Sequence, residues 1–122
     1  GACPRILLSF LEDDEIRKLL SNKLRTVGPS TVRDKDKLWE MISETREKGY
    51  TFSDAELEAG SAAYAVPIFN ANGSIAASIS LAGFSATLQS ADHEKYVIPM
   101  WRVASEVSKL LGYKQPYAYL KK

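Results

Sequence analysis

From Ser61 to Gly83 the chain carries no charge, and small, β-branched and aromatic residues run through SAAYAVPIF, a polar NANG and SIAASISLAG. This pattern predicts a β-hairpin, because Asn72 and Gly73 both tolerate the positive φ that a tight turn demands. With a loop of two or four residues, one face gathers Ala62, Tyr64, Val66 and Ile68 with Ile75, Ala77, Ile79 and Leu81. That is a bulky face in need of a core. The opposite face gathers Ala63, Ala65 and Pro67 with Ala76, Ser78, Ser80 and Ala82. A bulged or three-residue turn would scramble this parity. The second face is small and dotted with hydroxyls, and it leaves a gap. Either a closely packed helix fills it, or a small molecule does, held between apolar walls with Ser78 and Ser80 as polar contacts.

Helical periodicity dominates elsewhere. Ile6, Leu7, Phe10 and Leu11 form a buried stripe on a helix opening at Pro4, whose missing N–H suits a first turn. A domain that buries its first turn so early is expected to have lost residues upstream. A second helix starts within Glu12 to Asp14 and turns Ile16, Leu19, Leu20 and Leu24 inward, its leading acids matching the helix dipole. Thr26 to Val32, with Gly28 and Pro29, reads as a connector. A third helix is predicted from Asp34 to Lys48, with Leu38, Met41 or Ile42, and Thr45 inward and Trp39 at the core edge. Glu44 and Lys48 pair along it, and Gly49 caps it. Gly49 to Phe52 reads as a short strand and Ser53 to Gly60 as an acidic loop. Gly83 to Gln89 reads as a connector or edge segment. The last helix spans Asp92 to Leu111, with Tyr96, Met100, Val103, Val107 and Leu110 as its stripe. Pro99 must kink or restart it. Gly112 ends it, and Tyr113 to Lys122 is an aromatic, basic tail, free or docked on a neighbouring subunit.

Composition narrows the class. A chain of 122 residues and 13.5 kDa, 45% hydrophobic and 25% charged, suits one globular domain. A net charge of +1 predicts no broad attraction to nucleic acid or to a membrane. The charge-free hairpin region is interrupted by a turn and by Pro67, so no membrane helix is expected, and no signal-peptide pattern precedes it. Cys3, the single cysteine, excludes an internal disulfide and agrees with a reducing compartment. His93, the single histidine, sits in a polar first turn, where a surface role is expected. A Cys3 nucleophile has no evident base, and one histidine with one cysteine is no metal set. No glycine-rich strand-to-helix turn cradles a phosphate. No catalytic residue, metal or cofactor is therefore predicted. The helix at Pro4 does offer free amides, from Ala2 and Cys3, that favour a carboxylate.

The ordered set of ACPRILLSFL, Arg46-Glu47-Lys48-Gly49-Tyr50, Ser53-Asp54, Glu58-Ala59-Gly60, Ala65 to Phe69, Asn72-Gly73, Ala76 to Gly83 and Ala104 to Gly112 resembles the isocitrate lyase regulator (IclR) family. In particular it resembles the effector-binding domain of those transcription regulators. The resemblance implies an α+β, GAF-like or profilin-like fold, a curved antiparallel sheet flanked by helices. Residues 1–112 would then be an effector domain lacking its first strands, and 113–122 a C-terminal tail. It further implies a cytoplasmic, non-enzymatic sensor, a homodimer or homotetramer, that reaches DNA only through a winged helix-turn-helix domain absent here.

In members that bind small carboxylates, the resemblance assigns ligand contacts to positions that fall on Ala2, Cys3, Ser53, Ala63, Ser80 and Ala82. The amides and Ser80 are retained in kind. An acid is replaced at Ser53, with Asp54 beside it, a cysteine at Ala63 and a serine at Ala82, so a larger or more apolar carboxylate, aromatic ones included, fits better than a tiny keto acid. Two other readings stay open: an assembly module without a ligand, and a Cys3-dependent enzyme.

Overall fold

The computed structural model describes residues 2–26, 30–54, 60–88 and 93–120. Its elements are α1 (Ala2–Ser9), α2 (Asp13–Thr26), α3 (Ser30–Lys48), β1 (Thr51–Asp54), β2 (Ser61–Phe69), β3 (Ile75–Phe84) and α4 (His93–Leu110). The strands form one antiparallel sheet in the order β1-β2-β3. Helix α4 lies on one face of it, and α1, backed by α3, lies on the other. The α+β arrangement matches expectation, and α1 and α3 each begin earlier than the periodicity indicated.

Hairpin parity holds for a reason the sequence did not reveal. The loop runs through five residues, Asn70 to Ser74, with Gly73 at φ 82° and the Asn70 side chain accepting from the amides of Asn72 and Ser74. A five-residue loop inverts the predicted pairing, and an irregularity beside Phe69, which pairs with Ile75, inverts it back. From Ile68 onward the partners are Ile68–Ala77, Val66–Ile79 and Tyr64–Leu81 on the bulky face. Pro67–Ser78, Ala65–Ser80 and Ala63–Ala82 lie on the small one.

The bulky face builds the main core. Tyr64, fully buried, packs its ring against Phe52, Tyr96 and Tyr50, and Val66, Ile68, Val97, Met100 and Ala104 close around it. Helix α4 runs unbroken through Pro99. Its inward residues are Val97, Met100, Ala104 and Ser108, whereas Val103 is 54% and Leu110 86% exposed. The predicted stripe is thus rotated by about one residue. Small Ala104 and Ser108 let the helix approach the sheet, and the Ser108 hydroxyl accepts from the amide of Phe69 (3.0 Å) while donating to Ala104 O. A second cluster, Ile16, Leu20 and Ile42 with half-buried Leu38 and Trp39, joins α2 to α3, and Leu19 faces outward.

The expected free tail, or a tail docked on another subunit, is replaced by one folded onto its own chain. Gly112, at φ 96°, ends α4 with paired bonds from Tyr113 N to Ser108 O and from Gly112 N to Lys109 O. The chain then turns back and buries Tyr117, whose hydroxyl donates to Pro67 O (2.5 Å). Strand β1 pairs with β2 only as far as Ala65, so among the described residues no strand occupies that flank of Pro67 and the tail covers it. A backbone carbonyl and nitrogen of one residue point to the same side of a strand, so the missing N–H of Pro67 faces the tail and costs no bond to β3.

Candidate functional site

The small face lies under α1. Ile6 and Ala2 are buried against Ala65, with Ala63 and Cys3 at the margin of that cluster. A helix therefore fills part of the gap that hairpin parity predicts, over Ala65. Both ends of that helix are fixed. At the start, the buried Thr51 hydroxyl donates to Ala2 O (2.8 Å), and the Ser78 hydroxyl donates to Cys3 Sγ (2.9 Å). At the far end, Phe10 packs edge-on against Phe69. Helix α1 thus runs from the Thr51–Ala65 row toward Phe69. Its first-turn amides, which have no partner within the helix, aim the opposite way along the sheet.

The next row in that direction is Ser53–Ala63–Ala82, aligned across all three strands on the same face as Ala65 and Ser80. The structure therefore brings the six sequence-predicted residues onto one side of the sheet. Ala2 and Ser53 are buried, Cys3 and Ala63 half-buried, and Ser80 and Ala82 exposed on β3. Asp54 does not join them: it pairs with Ala62 on the opposite face and accepts from the Ser85 hydroxyl (2.6 Å). The acidic loop falls, over 55–59, outside the described residues.

Two neighbours escaped the sequence reading. Thr51 anchors α1, and only its place opposite Ala65 would have suggested it. Phe84, two residues beyond Ala82 and so on the same face, is 77% exposed and stands beside the row as a bare aromatic. It fell inside Gly83 to Gln89, the segment read as a connector or edge segment, whereas β3 continues as far as Phe84.

Against the Cys3 thiol stands the Ser78 hydroxyl, which is no general base. His93 stacks on Tyr50 (5.5 Å, 9°) on the α4 side of the molecule. Among the described residues no group of three or more His, Cys, Asp or Glu side chains is arranged to hold a metal ion. Three clefts elsewhere do not overlap the row. One of about 460 Å³ lies between the α1–α2 elbow and Arg46, and one of about 240 Å³ between Arg5 and Thr51. The third, about 530 Å³, lies between Tyr50 and Trp101. Among the described residues the strongest perturbations of ionisation are in the tail: burial, reinforced by Tyr113, pushes Tyr119 up to about 12, and burial raises Tyr117 further.

Residues 1–109 match the family described as the C-terminal part of the bacterial transcriptional regulator IclR. The chain is 38% identical over 115 residues to the HTH-type transcriptional regulator KipR of Bacillus subtilis (strain 168), covering 93% of this chain and 46% of KipR. It therefore spans about half the length of that relative. An IclR transcriptional regulator from Alicyclobacillus acidocaldarius superposes with a TM-score of 0.76 at 30% identity, over 92% of this chain and 45% of the other. The inducer-binding domain of a PobR double mutant from Acinetobacter, solved with 3-hydroxybenzoic acid, superposes with a TM-score of 0.73 at 26% identity, over 90% and 64%. The chain belongs to the IclR family of bacterial transcriptional regulators and carries its C-terminal domain.

Proposed function

We propose that this chain is the effector-sensing domain of a DNA-binding regulator and that it holds a small organic acid at the N-terminal end of α1. The observation that carries this reading is the aim of α1: pinned by Thr51 and Ser78, its free amides face the Ser53–Ala63–Ala82 row. Ala2 and Cys3 donate to the carboxylate, Ser80 contributes its hydroxyl, and Ala63, Ala82 and Phe84 offer apolar walls. A row of alanines beside an aromatic suits an aromatic or otherwise bulky carboxylate better than glyoxylate or pyruvate. The complex of PobR with an aromatic acid supports the same preference. On this reading the domain is no enzyme. It acts in the bacterial cytoplasm as a homodimer or homotetramer and meets DNA through an N-terminal winged helix-turn-helix domain. Effector binding acts by favouring one assembly geometry over another.

Thermal melting against glyoxylate, pyruvate, benzoate and 3-hydroxybenzoate tests it. An aromatic acid at about 100 times its dissociation constant stabilises the native state by about 2.7 kcal/mol, a shift on the order of 10 °C. Ala82→Trp, which fills the row, is expected to remove that shift. Glyoxylate or pyruvate binding as tightly as the aromatic acids would overturn the preference. The competing reading, an assembly module without a ligand, has in its favour the packing of Ile6 over Ala65. It predicts that no carboxylate raises the melting temperature.

A further inference from the structure

We propose that the C-terminal segment is a strap that sets the position of α1, with Tyr119 as the positioning residue, so that tail docking governs how the domain holds its acid. The link to ligand affinity rests on the reading above; the link to α1 does not.

The strap can be followed bond by bond. The Tyr119 hydroxyl donates to Arg46 O in the last turn of α3 (2.6 Å). The Arg46 side chain turns the other way and donates through Nε to Ser9 O (2.6 Å) and through Nη2 to Leu11 O (2.9 Å). Ser9 O is a carbonyl that the end of α1 leaves without a partner in the helix, and Leu11 O belongs to the turn into α2. A contact from Nη2 to Asp13 (2.9 Å) extends the hold to the start of α2. Phe10, just past α1, lies between two rings, Phe69 at 5.5 Å and Tyr119 at 6.3 Å, both edge-on. Tyr119 also stacks on Trp101 (5.8 Å, 23°), and the Trp101 indole donates to Gly49 O (2.9 Å). One tyrosine thus touches α3, the α1–α2 elbow and α4.

Gly49 makes room for it. A Cβ added there would lie 2.3 Å from the Tyr119 ring, closer than any side chain can approach. Helix α1 is a rod of eight residues, so a displacement at its Phe10 end is carried to the amides of Ala2 and Cys3. Tyr119 lies beyond 1–109, the stretch that matches the family, whereas Phe10, Arg46, Gly49 and Trp101, which receive it, lie within that stretch.

The test uses the full chain and two variants. Tyr119→Phe keeps the ring and loses the bond to Arg46 O; Tyr119→Leu loses the stack as well. Amide hydrogen exchange is read at α1 and at β2, and benzoate affinity is read by calorimetry. Exchange at α1 is expected to quicken about tenfold in Tyr119→Phe and more in Tyr119→Leu, while β2 changes little. Benzoate affinity is expected to fall at least fivefold in the same order. Equal acceleration across α1 and β2, or none, would overturn the strap, since a merely structural tail loosens the whole fold together. If benzoate fails to bind the unaltered chain, the ligand reading falls, and the exchange pattern still decides the strap. If α1 loosens while affinity holds, positioning of the ligand site is overturned.

Discussion

Gly49 carries two demands that a sequence shows as one. It ends α3 with its amide bonded to Thr45 O at φ 80°, and it leaves open the space that the Tyr119 ring occupies. Gly60 has nearly the same backbone, φ 85°, with nothing within 4 Å of an added Cβ. The pair therefore separates strain from collision. Gly60→Ala is expected to cost about 1–2 kcal/mol, the penalty of a side chain in the left-handed region. Gly49→Ala must bear that cost and eject the ring, so its loss in urea denaturation should exceed that of Gly60→Ala by at least about 1 kcal/mol. Equal losses would mean that the ring moves aside freely. Tyr119 itself supplies a pH dependence. Its ionisation is pushed from 10.0 to about 12, chiefly by burial, so the folded state holds the proton more tightly than the unfolded chain. Its stabilising effect is complete below about pH 10 and is lost as pH rises toward 12, when the phenolate can no longer donate to Arg46 O. The urea midpoint should fall over that interval, and less steeply in Tyr119→Phe. A midpoint equally steep in the two proteins would remove Tyr119 as the cause.

At the level of elements, local pattern was legible and long-range closure was not. Alternation along the hairpin named both faces, because a face is a property of neighbours two residues apart. The odd loop and the bulge beside Phe69 would each have spoiled the reading, and their effects cancelled. In α4 the same logic failed: apolar residues occur on more than one side, so the stripe through Val103 and Leu110 competed with that through Val97, Met100 and Ala104. The sheet decided between them, by admitting small Ala104 and Ser108 and offering the Phe69 amide to the Ser108 hydroxyl. No periodicity records such a bond. The tail misled more deeply. Tyr117 and Tyr119 sit among proline, glutamine and lysine, which read as a solvated end, and their partners lie 50 and 73 residues away. For the candidate site, the small residues were visible and the crossing of α1 was not, because nothing in ACPRILLSFL states which row of the sheet it will cover.

Among the described residues, the two flanks of the sheet differ, one covered and the other open. Toward β1, the tail, α3 and α4 close over the sheet. Toward β3, the described residues end in an outer strand of ten residues with no further strand beside it. Leu81 and Phe84 on that strand and Val103 and Leu110 on α4 are exposed. A long edge with apolar side chains is a template for pairing with other chains, and it carries no lysine or proline to discourage contact. This chain in isolation is therefore expected to associate reversibly as its concentration rises, with β3 as the surface responsible. Sedimentation should show weight-average mass climbing through the micromolar range. Leu81→Lys, which places a charge on the strand opposite Tyr64, should hold the chain monomeric if edge pairing is the cause. Leu110→Lys, on α4, should do so only if the helix face is the sticky surface. A monomer at every concentration would mean that the bare edge is twisted enough to protect itself, and that hydrophobic exposure on this side does not drive assembly.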